Sequence, residues 1–415
     1  MRAELIAKKY NASIFLVFMF ASFSFGEMYR HIIVLMALVG IFMLFRKRWL
    51  MFSGYRAHIL LILFACLWIP MVISLFDSHY LYNSGRATLR YLIYLLSGLA
   101  IITLTDGKDM FKPVLYGCSA VMLFWAVDGL IQLVFGSNIL GYPYSGTRLS
   151  GMFYPSLRVG VVLSMLSPIY FETIRYLSQK YKWAWLLLLP FFLVVIYSGS
   201  RSAWMLFTIS VLLYLYYWYR IASNVNLMRI FKIGATLSIV TVVLFTQVDW
   251  LGQRLGDVSG LFSGKGEGAL HATSLRTPLW KTAIKMSKDN WINGVGPRSY
   301  KLAYDNYSDP TDSYWYGKNS GHPHFFILEI SSETGIVGII GYVIFLVIIG
   351  NRLRNMISAR NLVEAPWLMA VLIVAFPLGS THGFYVHFSS GLMWYLIIIS
   401  LSTRYLDKNK QEPSY

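Results

Sequence analysis

Charge is scarce in this chain. Only 13% of its 415 residues are Asp, Glu, Lys or Arg, against about 25% in a soluble domain, so most of its surface is built for lipid. Acid is scarcer than base, with 19 Asp and Glu against 36 Lys and Arg and a formal net charge of +17. In a soluble protein that surplus would point to nucleic acid. Here the basic residues sit in short clusters between apolar runs, where they report orientation across a bilayer instead. Cysteine is nearly absent. Cys66 and Cys118 both fall inside apolar runs, which excludes a disulfide scaffold and leaves them as small core residues. There is no P-loop and no Gly-rich strand-to-helix turn, so a nucleotide donor has no cradle. Internal repeats and low-complexity tracts are missing too. The run at 11–25 follows a basic start without a small-residue cleavage site, and reads as a span rather than a removable signal.

What is abundant is apolar: 56% hydrophobic and 17% aromatic residues. Runs such as Ala57–Phe76 and Trp183–Tyr197 approach the ~20 residues that cross hydrocarbon as a helix. The pattern predicts an all-α, polytopic membrane protein with about twelve transmembrane helices. Their cores are 11–25, 31–45, 57–76, 88–105, 114–135, 159–174, 183–199, 201–219, 230–246, 335–350, 362–379 and 388–402. Most of the basic residues fall in alternate, short breaks, such as Arg46-Lys47-Arg48 and Arg352 to Arg360. The positive-inside rule then puts both termini in the cytoplasm. Residues 1–246 hold nine spans, 247–334 form one long outer loop, and 335–415 hold three spans and a tail. Within the spans Asp128 is the one plainly buried acid.

A connection as long as 247–334 is usually functional. Its nine basic and nine acidic residues cancel, which excludes a nucleic-acid surface, and its aromatic, Gly and Pro content predicts a partly helical cap. Thr277 and Pro278 are a cap and first residue for an amphipathic helix with Leu279, Ala283 and Met286 on its apolar stripe. That helix lies either on the membrane or in the cap, and in both cases Arg276 sits at its start. Trp291 to Arg298 follows as a turn whose glycines permit close approach to a ligand. The segment Gly321-His322-Pro323-His324-Phe325 runs into an apolar helix. Pro323 suits the residue before a helix, which puts His324 in the first turn, where dipole and desolvation favour the neutral ring a general base requires. His-Pro-His is expected to send its two rings in different directions, and no spaced Cys, Asp or third His completes a metal site.

The outer breaks add more cations. Arg201 lies in Ser198-Gly199-Ser200-Arg201-Ser202, between two apolar runs with almost no linker. It either snorkels to headgroups or serves as a fixed, two-pronged cation for phosphate. Arg148 stands among small residues in Gly146–Pro155, and Arg86 and Arg90 flank the break before the fourth span. These too either anchor headgroups or bind an anionic ligand. A glycan flippase or transporter would instead concentrate charge at mid-bilayer.

Taken together, His324 followed by Gly335 and Gly338, the Ser200–Trp204 start, Arg276 with Trp280, Gly294-Val295-Gly296, and Arg148–Pro155 resemble the O-antigen ligase family. The likeness covers most of the chain. The resemblance implies a Gram-negative inner-membrane enzyme with a periplasmic site. It implies transfer of a glycan from undecaprenyl pyrophosphate to a sugar hydroxyl of lipid A–core, without metal or other cofactor, among membrane lipids and without nucleic acid. Carried over, His324 is the base, and Arg201 and Arg276 hold the pyrophosphate. Arg148, His322, Arg298, Arg86 and His382 are the further substrate-binding candidates. Phe325 stands where the family usually has Asn, Ser or Gln. The same motifs occur in O-antigen polymerases and protein O-oligosaccharyltransferases, which share the donor.

Overall fold

The computed structural model describes residues 2–46, 49–52, 54–105, 110–221, 276–312, 315–318, 321–359, 362–378 and 383–402. These residues form helices and loops, with an isolated bridge between Ser137 and Pro143. The helices are α1 (Arg2–Ala21), α2 (Met28–Phe45), α3 (Tyr55–Ile73), α4 (Leu81–Leu104), α5 (Phe111–Phe135), α6 (Val159–Ser178), α7 (Leu188–Tyr197) and α8 (Arg201–Ile221). They continue with α9 (Thr277–Asp289), α10 (Tyr300–Tyr307), α11 (Phe326–Ser358), α12 (Ala365–Val374) and α13 (His387–Ser402).

Among the described residues five helices, α2 to α5 and α11, are long and apolar enough to cross a membrane. Their outward faces are themselves apolar: Leu35, Leu38 and Phe42 on α2, and Ile340, Val343 and Val347 on α11, are exposed. Such contiguous exposed apolar surface identifies a lipid-facing bundle. Two of the remaining apolar helices are shorter than expected. The run at 183–199 becomes a 3-10 segment (Lys182–Leu187) followed by the ten residues of α7, and the run at 362–379 yields only the ten of α12. The span expected at 230–246 lies outside the described residues. α12 and α13 are buried on nearly every face, so their uniform apolarity reflects a protein interior as much as lipid.

Asp128, which the sequence singled out, and Glu172, which it did not, are both fully buried in the bundle. Asp128 of α5 accepts hydrogen bonds from Asn138 Nδ2 and the Ile139 N–H, both at 3.1 Å. Glu172 of α6, also fully buried, takes Arg175 in a two-pronged pair and accepts from the Tyr214 and Tyr217 hydroxyls at 2.9 and 3.2 Å. A buried acid needs a cation or hydrogen bonds to offset its desolvation; Glu172 has both, and Asp128 has hydrogen bonds from Asn138 and Ile139.

Above the bundle sits a second, smaller core of Leu279, Ala283, Met286, Val295, Tyr300, Ala303 and Tyr304. It settles the amphipathic helix: α9 buries its predicted stripe against α10 and α11 rather than lying on a membrane. Each Leu or Met so buried contributes on the order of 2 kcal/mol. One detail differs. Arg276, not Thr277, is the N-cap, and Thr277 begins the helix, with Pro278 in its first turn.

Candidate functional site

The loop joining α9 to α10 is clamped to the start of α11. The Val295 N–H donates to Ser332 O at 2.8 Å, Gly296 N–H to Glu333 O at 3.0 Å, and Ile336 N–H to Trp291 O at 2.8 Å. This explains the glycines. Gly294 and Gly335 have φ of 68° and 63°, the left-handed region where glycine is unstrained. A Cβ on Gly294 would lie 2.4 Å from the Glu333 carbonyl carbon, and one on Gly335 would lie 2.1 Å from Ile292 O. The close approach foreseen for a ligand is therefore an approach of one backbone to another. It breaks α11 at Gly335 and separates its first turns from the apolar run beyond.

Two buried carboxylates brace the same junction. Glu333 accepts from the Arg298 and Tyr300 N–H groups at 2.7 and 3.1 Å, and Glu329 from those of Phe384 and Tyr385 at 2.8 and 3.3 Å. Truncating either would leave two buried N–H groups without partners, at about 1–3 kcal/mol each. Sequence inspection lists these glutamates only as loop charges; no spacing rule reveals that they tie loops together.

His324 lies at the mouth of this junction, but not within a helical turn. α11 begins at Phe326, and His324 has φ of 57°, which is uncommon for a residue with a side chain. The expectation that His322 and His324 diverge is also overturned: their ring centroids are 4.0 Å apart. The left-handed backbone at His324 turns the chain sharply and folds one ring back towards the other. Such strain persists only where surrounding contacts hold it, and it collects at functional sites. Here Trp280 of α9 holds it. Its Nε1–H donates to Pro323 O at 3.0 Å, and its ring lies 5.8 Å from that of Phe325. Phe325 thus packs on the Trp that holds the peptide before the neighbouring histidine.

Trp280 is one turn beyond Arg276, whose carbonyl accepts the Trp280 N–H at 3.0 Å. Arg276 is half-buried, and its guanidinium is pushed down to about 10 by burial and then by the positive charges of Arg148 and Arg201. It remains protonated at neutral pH. Arg148 and Arg201, from distant parts of the chain, are thus each within electrostatic reach of Arg276. Arg201 is fixed as the first residue of α8, after the left-handed turn at Gly199, while Trp204 Nε1–H ties that helix to Val195 O and Ile196 O of α7. Arg148 follows a tight turn in which Ser145 Oγ accepts its N–H and donates to its carbonyl. Like charges gathered in partly dry surroundings stabilise an anion placed among them, and the N-terminus of α9 adds its own positive end.

The other candidates separate from this group. Arg86 and Arg90 are not beside a loop but inside α4, four residues apart on one face. With Arg298, Lys301 and His387 they line a cavity of about 460 Å³. His387 stands in the sequence beside His382 in the last outer loop, at 379–389, whereas Lys301 counts there only as a loop charge, because a single lysine carries no local signal. His382 lies outside the described residues. Among the described residues no three of His, Cys, Asp and Glu converge as metal ligands.

Residues 185–343 match a protein-family model described as O-Antigen ligase. That stretch includes Arg201, Arg276, Arg298, His322 and His324, and leaves out Arg86 and Arg148. No curated protein matches the chain.

Proposed function

We propose, from the match of residues 185–343 to an O-antigen ligase family model, that this chain transfers polysaccharide from undecaprenyl pyrophosphate to a sugar hydroxyl of lipid A–core. The observation that carries this reading is that Arg148 and Arg201 both act electrostatically on Arg276, the N-cap of the helix whose Trp280 holds the Pro323–His324 segment. His324 takes the proton from the acceptor hydroxyl as its oxygen attacks the anomeric carbon of the donor. The bond from that carbon to the pyrophosphate oxygen breaks, and the leaving group departs with its extra negative charge. Arginines already in place where that charge grows lower the barrier without reorganisation. No divalent ion is needed in this scheme. His322, packed against His324, steadies the base.

The wider reading includes about twelve transmembrane helices in a Gram-negative inner membrane. Both termini are cytoplasmic and the site is periplasmic, in keeping with the basic clusters of the short breaks. A purified, reconstituted chain should move a lipid-linked glycan onto lipid A–core. Elongation of the lipid-linked glycan itself, with no transfer to lipid A–core, would make the protein a polymerase and overturn the acceptor assignment.

A further inference from the structure

The cavity beside α4 shares no residue with the three-arginine group. Arg86 and Arg90 reach it from α4, Arg298 and Lys301 from the second core, and Tyr91, Tyr94 and Tyr385 line it as well. Arg30 lies within electrostatic reach of Arg90, and Arg30, Arg90 and Arg298 all act on His387. The acids facing this region are committed elsewhere. Glu27 pairs with Arg30 at 3.2 Å, while Glu329 and Glu333, which attract Arg298, each accept two backbone N–H groups behind the wall. Arg298 is the second described residue other than glycine with positive φ, at 60°, held there by Glu333. The Arg298 side chain is exposed, and its strained backbone, braced by Glu333, sets it at the cavity wall.

Two separate positive sites suit a reaction between two anionic lipids. We propose that the cavity of Arg86, Arg90, Arg298 and Lys301 is a second anion site, which holds a phosphate borne by the acceptor glycolipid's sugars while Arg148, Arg201 and Arg276 hold the donor. This rests on the transferase reading for its choice of ligand. Its physical content is independent of that reading: the cavity distinguishes a phosphorylated sugar headgroup from an uncharged one. The tyrosine rings offer apolar faces to the sugar, and the cations select its phosphate.

The test is a binding measurement on the full chain in phosphatidylcholine nanodiscs, with a bisphosphorylated acyl-disaccharide glycolipid, the same lipid after phosphatase treatment, and undecaprenyl pyrophosphate as probes. Arg86 and Lys301 are exposed, so Arg86→Gln with Lys301→Gln leaves the fold intact. The double variant should lose roughly tenfold or more in affinity for the phosphorylated glycolipid, the scale of lost charge-assisted hydrogen bonds. Its affinity for the dephosphorylated lipid and for undecaprenyl pyrophosphate should be unchanged. Equal wild-type affinity for the two glycolipids would overturn the proposal. So would a loss confined to undecaprenyl pyrophosphate, which would make the cavity part of the donor site. Failure of the function reading is seen separately, as absent glycan transfer by wild type, since none of the three probes carries a glycan to transfer.

Discussion

His324 and Arg276 are strained in two different ways. His324 is held in a backbone conformation that costs free energy, and its imidazole packs against that of His322 at 4.0 Å. In the proposed role of general base it would contribute roughly 10²–10⁴ in rate. His324→Ala should therefore lose transfer by that factor while retaining expression and membrane insertion, whereas His322→Ala should lose less. Single-turnover glycan transfer by the purified variants measures both, and the reverse ranking would move the base to His322. Arg276 is held in electrostatic discomfort instead. A group whose folded pKa is depressed binds its proton less tightly than in the unfolded chain. Its charge thus opposes folding below that folded value of about 10, and the penalty fades only above it. Arg276→Gln should then leave the melting temperature unchanged or raise it at pH 7, while donor binding weakens. Arg201→Lys keeps the charge but loses the planar fork and should remain impaired. Calorimetry beside donor-binding assays checks the pair, and a destabilised Arg276→Gln with normal donor binding would make this arginine structural.

At the scale of elements, α9 couples the two halves of the candidate site. Arg276 is its cap, and Trp280, one turn on, holds Pro323 O. Trp280→Phe preserves the ring that meets Phe325 and removes only the donor. About 1 kcal/mol of hydrogen bonding is lost, a small change for folding but enough to free the Pro323–His324 peptide. The expected signature is a fall in kcat with little change in KM for the donor, because Arg276 stays in place. A rise in donor KM at constant kcat would show instead that Trp280 acts through α9 as a whole. The Gly294–Gly335 crossing is the second coupling element. It fixes where α11 breaks, and hence where the His324 segment leaves the bundle.

Across the whole molecule, lipid-facing bundle, small upper core and bracing glutamates keep cations fixed at one end of an apolar assembly. If fixed arginines neutralise the leaving pyrophosphate, transfer should proceed at an unchanged rate in excess EDTA. Activity abolished by chelator and restored by Mg²⁺ or Mn²⁺, in a reconstituted assay, would replace that scheme with a metal-assisted one.

Charge scarcity and apolar runs already determined the helical class, the membrane-facing exterior and the amphipathic stripe of α9, because burial against lipid or a core imposes a local period on the chain. The motifs around Arg201, Arg276 and His324 were legible for the same local reason. Proximity was not. Arg148, Arg201 and Arg276 come from parts of the chain far apart, and only packing brings the first two within electrostatic reach of the third. The folded-together histidines follow from one left-handed backbone angle that Trp280 and Phe325 help to hold, and the basic cavity gathers α4, the upper core and the start of α13. Spacing along a chain reports which face a residue takes within its own element. Which elements meet is settled by tertiary packing, and here that packing places the cations.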